Sequence, residues 1–167
     1  MTQAPIQLVK IVSGGQTGVD QGALEAALEA GFACGGWAPE GRIDENGTIS
    51  NKYPLRVLPG ADYTARTRAN VRDSDATLIL CPGEPEGGTA LTYQYARRKR
   101  KPACLIDALE HPPERAAQAA LDFCAEYTVA VLNVAGPRAS GWPEAHAYAK
   151  ATTAHLLKLA SYACPSR

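Results

Sequence analysis

Five short apolar runs, with segments of helical spacing between them, constrain this chain more than any other feature. They are Ile6 to Ser13, Phe32 to Trp37, Ala76 to Cys81, Ala103 to Asp107 and Val129 to Val134. The first is interrupted only by Gln7 and Lys10. Near-continuous apolar runs suit strands covered on both faces, whereas a strand with one wet face alternates. Between them, Gln21 to Ala30 reads as a helix. It places Leu24, Ala27 and Leu28 on one side and Gln21, Glu25 and Glu29 on the other, with Gly31 as its stop. Further helices are expected over Tyr63–Asp73, with Asp62 as N-cap, over Gly88–Arg100 and Pro113–Tyr127, and from Pro143 to about Ala163. The alternation predicts an α/β fold of three layers. Its core is an open, mostly parallel sheet of about five strands with helices on both sides, in one domain spanning residues 1–167.

The long connection from Ala38 to Asp62 is rich in glycine and proline. A connection of this length in a small domain is commonly functional or a small hairpin. Its segments "TIS" and "LRVL" are expected to pair with each other.

Composition excludes several functions. Lysine plus arginine equals aspartate plus glutamate, 17 against 17, so net charge gives no reason for bulk nucleic-acid binding. No apolar stretch approaches the roughly 20 residues of a membrane helix, and the first ten residues lack the pattern of a secretory leader. The five cysteines (34, 81, 104, 124, 164) form no C-x-x-C pair, and several sit in apolar runs, as buried free thiols in a reducing cytoplasm would.

In an open parallel sheet, ligands bind beyond the carboxyl ends of the strands, near the switch in strand order. Three glycine-rich turns stand there: "SGGQTGVD" (13–20), "CPGEPEGGTALT" (81–92) and "NVAGPRASGWPE" (133–144). Glycine lets a ligand approach the backbone, and a helix N-terminus offers free N–H groups to an oxyanion. Thr17, Thr89 and Ser140 add hydroxyls, and Arg138 adds a fork suited to phosphate. The three turns are expected to form one anion and nucleotide pocket. Asp20 suits either the first helix's dipole or a ligand contact. Trp37 can stack on a flat ring or cover the sheet edge. Asp73 and Asp75 are expected to cap the preceding helix or to fix the entry of the third strand. Arg66, Arg68 and Arg72 are expected on a solvated helix face, like the basic end "ARRKRK".

The first turn is neither G-x-G-x-x-G nor G-x-x-x-x-G-K-[ST], which disfavours common dehydrogenases and triphosphatases. His111, His146 and His155 show no metal-binding spacing, and no G-x-S-x-G elbow is present. The chain offers a pocket without an evident catalytic engine.

The segments "IVSGGQTGVDQGAL", "GGWAPEGR", "DYTARTRANVRDSDATLIL", "GGTALT" and "LNVAGPR" together resemble the putative molybdenum carrier proteins. These are Rossmann-like proteins related to the lysine decarboxylase-like phosphoribohydrolases and to the DNA processing protein A fold. The resemblance implies a homo-oligomer, dimeric or tetrameric, that binds molybdenum cofactor without turnover. A phosphate-bearing nucleotide is the alternative ligand, and nucleotide sensing an alternative role. The pocket is then expected to use Gly14, Gly15, Gln16, Thr17, Asp20 and Trp37; Gly87, Gly88, Thr89 and Thr92; and Asn133, Gly136, Arg138 and Ser140. The related phosphoribohydrolases resemble P-G-G-x-G-T-x-x-E. The position of that closing glutamate falls on Thr92, which cannot supply a carboxylate. Glu84 and Glu86 lie just upstream and are the available replacements for a nucleotide-cleaving enzyme.

Overall fold

A computed structural model of the chain describes residues 5–60 and 62–163. Its centre is a five-stranded sheet in which every neighbouring pair is parallel. The strands are β1 (Lys10–Val12), β2 (Cys34–Gly35), β7 (Ala76–Cys81), β8 (Ala103–Asp107) and β9 (Val131–Ala135). Four shorter strands, β3 (Trp37–Ala38), β4 (Ile43–Asp44), β5 (Gly47–Thr48) and β6 (Arg56–Val57), form two small sheets in the long connection. Helices α1 (Val19–Glu29), α4 (Pro113–Glu126) and α5 (Ala145–Ala163) pack together, as do α2 (Tyr63–Arg72) and α3 (Gly87–Arg98). No described helix is long and apolar enough to cross a membrane.

The sheet order is β2-β1-β9-β7-β8. The chain runs from β1 to the edge strand β2, then crosses to β7 and β8. The last strand, β9, threads into the gap between β1 and β7. Thus the carboxyl ends of β1, β9 and β7 open side by side, where a doubly wound sheet leaves its crevice.

Strand β7 explains why the middle of the sheet forms. All six residues of Ala76–Cys81 are buried, and Leu78, Ile79 and Leu80 are wholly so. Each such side chain contributes about 1.5–3 kcal/mol of transfer free energy. Its partner β9 is aligned by polar contacts at both ends. Asp75 Oδ2 accepts from the N–H groups of Ala130 (3.0 Å) and Val131 (2.8 Å). At the other end, Ser13 Oγ donates to Val134 O at 2.6 Å. Asp75 therefore aligns strand entry, and Asp62 caps α2 by accepting from Ala65 N–H at 2.8 Å.

The connection after β2 departs from expectation in two ways. The run Phe32–Trp37 is broken at Gly36, whose φ of 132° turns the chain out of the main sheet. A side chain at that position would also strike Ser13 O at 2.0 Å. Trp37–Ala38 pairs in parallel with Arg56–Val57, and Ile43–Asp44 pairs antiparallel with Gly47–Thr48. "TIS" and "LRVL" therefore do not pair with each other. A separate cluster of Leu24, Ala38, Ile49 and Tyr53 anchors this region on α1. Arg42 holds it shut by donating to the carbonyls of Ser50, Tyr53 and Leu55. The four described cysteines are free; Cys164 lies outside the described residues.

Candidate functional site

A cleft of about 670 Å³ opens at the ends of β1, β7 and β9. Its wall includes Gly14, Gln16 and Asp20 from the first turn. Gly87, Gly88, Thr89 and Thr92 come from α3, and Asn133, Gly136, Arg138 and Ser140 from β9 and the turn after it. The volume lies within the ~300–1,000 Å³ of small-molecule sites.

The second turn provides the most open backbone. Glu86 precedes α3 in extended conformation and gives no side-chain cap. The N–H groups of Gly87 and Gly88 have no hydrogen-bond partner among the described residues, and the space where their side chains would lie is empty. Uncapped N–H groups at the positive end of a helix dipole favour an anion. Thr92 lies one turn further on and donates its hydroxyl to Gly88 O at 2.8 Å. Cys81 is buried at the end of β7, where burial pushes its thiol up to about 11.

The first turn is occupied largely by the protein itself. Val19 N–H at the start of α1 donates to Pro137 O at 3.2 Å. Gly15 faces away from the cleft: a Cβ there would lie 2.3 Å from Leu55 Cδ1. Thr17 also lies outside the cleft wall. Its hydroxyl donates to Glu45 Oε1, and Ser140 meets the same carboxylate through its N–H (3.1 Å) and its hydroxyl (2.5 Å). Two hydroxyls expected for a ligand oxyanion thus hold an internal one. The Ser140 and Thr17 contacts keep Glu45 below the usual glutamate range. Gln16 is 2% exposed, and its Nε2 donates to Ile43 O at 3.0 Å.

Asp20 does not cap α1. Its Oδ2 accepts from Gln16 N–H at 3.2 Å and from Arg66 Nη1 at 3.4 Å. Burial pushes the Asp20 carboxyl up and the Arg66 guanidinium down, while their attraction opposes both shifts. Arg66 thereby departs from the solvated basic face expected of α2, whereas Arg68 and Arg72 are exposed as expected. The Arg66 side chain is 12% exposed and lies in the cleft wall, with Arg68 beside the Tyr95 ring at 5.5 Å. Asn70, one turn on, clamps the Trp37 backbone by accepting from its N–H (2.8 Å) and donating to its C=O (3.0 Å).

Trp37 itself is absent from the cleft wall. It borders a smaller hollow of about 190 Å³ with Lys10, Arg56 and Asp73, and its indole N–H donates to Asp73 Oδ2 at 2.7 Å. The aromatic faces in the main cleft are Tyr63 and Tyr95, which the sequence pattern did not single out. Arg138 stacks on Tyr63 with 4.6 Å from guanidinium to ring centroid, and Arg98 completes the basic lining. Glu84 and Glu86 are also in the wall, both exposed.

A family model described as "Circularly permutated YpsA SLOG family" matches residues 11–157. The chain belongs to that family. The inserted last strand sits centrally in its sheet. Among solved structures, it is similar to a "putative molybdenum carrier protein" from Syntrophus aciditrophicus SB, at 40% identity and a TM-score of 0.88. The match covers 92% of this chain and 97% of the other. No curated protein matches the chain.

Proposed function

We propose that the cleft carries a phosphate-bearing heterocycle of the molybdenum-cofactor type and holds it without turnover. The observation that carries this reading is the uncapped start of α3, where Gly87 and Gly88 face a cleft lined by Arg66, Arg68, Arg98 and Arg138. A phosphate fits the α3 N–H groups and Thr89, and a flat ring fits the faces of Tyr63 and Tyr95. The relative's printed name supports the same ligand class. No group of His, Cys, Asp and Glu side chains among the described residues is placed to hold a metal ion. Such a cofactor brings its metal on its own dithiolene, so the donors required of the protein are those of an anion and ring site. The proposed assembly is a homo-oligomer, dimer or tetramer, tested by light scattering of the purified chain.

Mass spectrometry of the purified protein under native conditions tests the carrier reading. A stoichiometric molybdopterin species, weakened by Thr89→Ala, is the expected result. One observation favours a second reading, nucleotide cleavage: Glu84 and Glu86 stand in the cleft wall beside α3. Incubation with nucleoside 5′-monophosphates separates the two. Released base that disappears in Glu84→Gln or Glu86→Gln would replace carriage with hydrolysis.

A further inference from the structure

We infer a second anion subsite in the same cleft, a tetrahedral-oxyanion seat between Arg66 and Arg138, for which the Glu45 carboxylate is the internal competitor. The inference rests on the carrier reading only in placing a ligand in this cleft.

Tyr63 and Arg66 are three residues apart on α2, hence neighbours on one helix face. Arg138, reaching over from the turn after β9, stacks on Tyr63. Arg66 lies over Gly14, and both guanidiniums, from different elements, lie in the cleft wall on either side of Tyr63's helix turn and its ring. The Arg138 charge opposes that of Arg66 and contributes to lowering the Arg66 pKa. Two cations lining one cleft, one of them largely buried, are costly unless an anion lies near both. The protein supplies only a partial one. Asp20 meets Arg66 at 3.4 Å and is also committed to Gln16 N–H. Arg66 Nε is buried without a partner, and Arg138 forms no ion pair among the described residues.

Glu45 shows what this rim accepts. It comes from the tip between β4 and β5, and its own side chain is exposed. Yet it takes three hydrogen bonds from Thr17 and Ser140, and Arg138 helps to hold it ionised. Ser140 lies in the cleft wall beside Arg138. A tetrahedral oxyanion at the arginines would compete with Glu45 for Ser140 and for the charge of Arg138. The α3 N-terminus lies on another strand end, so a ligand with anionic groups at two places can span both seats.

Tungstate is a suitable probe, because its anomalous scattering locates it in crystals. In the wild type, anomalous density is expected within hydrogen-bonding distance of both guanidiniums, separate from density at Gly87–Gly88. Arg138→Gln is expected to remove the first peak and keep the second. Glu45→Gln is expected to tighten tungstate binding at least threefold by equilibrium dialysis. It removes a competing charge without burying a new group. Loss of the arginine peak after loading with a nucleoside 5′-monophosphate assigns the seat to the ligand's own phosphate. Retention assigns it to a free oxyanion, and either result supports the seat. No density between the arginines in wild type and Glu45→Gln, or unchanged or weaker binding in Glu45→Gln, overturns it. Density there in a protein that retains no phosphate-bearing heterocycle leaves this subsite standing and removes the carrier reading instead.

Discussion

The Arg66 guanidinium lies across the backbone of Gly14. A Cβ at residue 14 would sit 1.5 Å from Arg66 Nη1 and 3.0 Å from Asp20 Oδ2. Gly14 is not in the positive-φ region, so the requirement for glycine comes from this close approach alone. Gly14→Ala is expected to displace Arg66 from Asp20 and cost about 1–3 kcal/mol in denaturant unfolding, the usual range for overpacking. Tungstate affinity should fall about tenfold or more. Removing the obstacle, in Gly14→Ala with Arg66→Ser, relieves the overlap but leaves Asp20 without its cation, so stability should recover only in part and affinity not at all. Equal recovery of both would show that Arg66 serves packing only.

Two other glycines of the cleft wall should respond in opposite directions. A Cβ on Gly136 would lie 2.2 Å from Leu80 O, a backbone atom that cannot swing aside. Gly136→Ala should therefore cost about 3 kcal/mol. Gly88 meets nothing within 4 Å. Gly88→Ala should leave stability unchanged or raise it by about 0.5 kcal/mol through helix propensity. Its methyl nevertheless enters the space before the free N–H groups, so retention of the co-purifying ligand should drop. A Gly88→Ala protein that is as stable and still fully loaded would remove α3 from the site.

Asp75 ties the start of β9 to the turn before β7 through two backbone N–H groups. Losing both bonds in Asp75→Ala should cost about 1–3 kcal/mol and raise hydrogen exchange at Val131. Asp75→Asn keeps an acceptor and should recover most of the loss. Unfolding in urea, read alongside exchange at Val131, distinguishes a local register effect from general loss of stability.

The sheet was legible because its strands are short apolar runs, buried throughout in β7 and half-buried or buried in the others. Ala76–Cys81 and Ala103–Asp107 have the bounds their composition implies, and the helix bounds differ from expectation by a few residues at most. Residues 38–58 were not legible, since strands of two residues carry no periodicity. Arg66 was missed for a different reason. Helix α2, "YTARTRANVR", is so polar that its helical wheel shows stripes but no inward face. The face is chosen by Gly14, 52 residues away in sequence, whose lack of a side chain admits the guanidinium. Glu45 and Ser140 are separated by 95 residues, and no local pattern announces their contact. The glycine turns announced a pocket, but which of their polar groups the protein itself would occupy depended on such distant partners.

The Trp37–Asp73 contact offers a pH test away from the cleft. The indole N–H donates to Asp73 Oδ2 at 2.7 Å, and Arg72 meets the same carboxylate at 2.9 Å. Arg72 first, and then Trp37, hold Asp73 below its ordinary value of 3.8. A carboxyl with a depressed folded pKa contributes stability that is present above its unfolded pKa and lost as pH falls through the folded one. The contact should therefore be unchanged from pH 7 to about pH 4 and be lost below that. The chain has two tryptophans, so a Trp142→Phe background isolates the Trp37 emission. In that background the emission should stay flat until the ordinary aspartate range is passed and then shift. Adding Asp73→Asn should abolish the transition while leaving tungstate binding unchanged, because Trp37 and Asp73 border the smaller hollow and not the cleft. An emission change centred above pH 5, or weakened tungstate binding in Asp73→Asn, would contradict this placement and put the indole back among the ligand-facing rings.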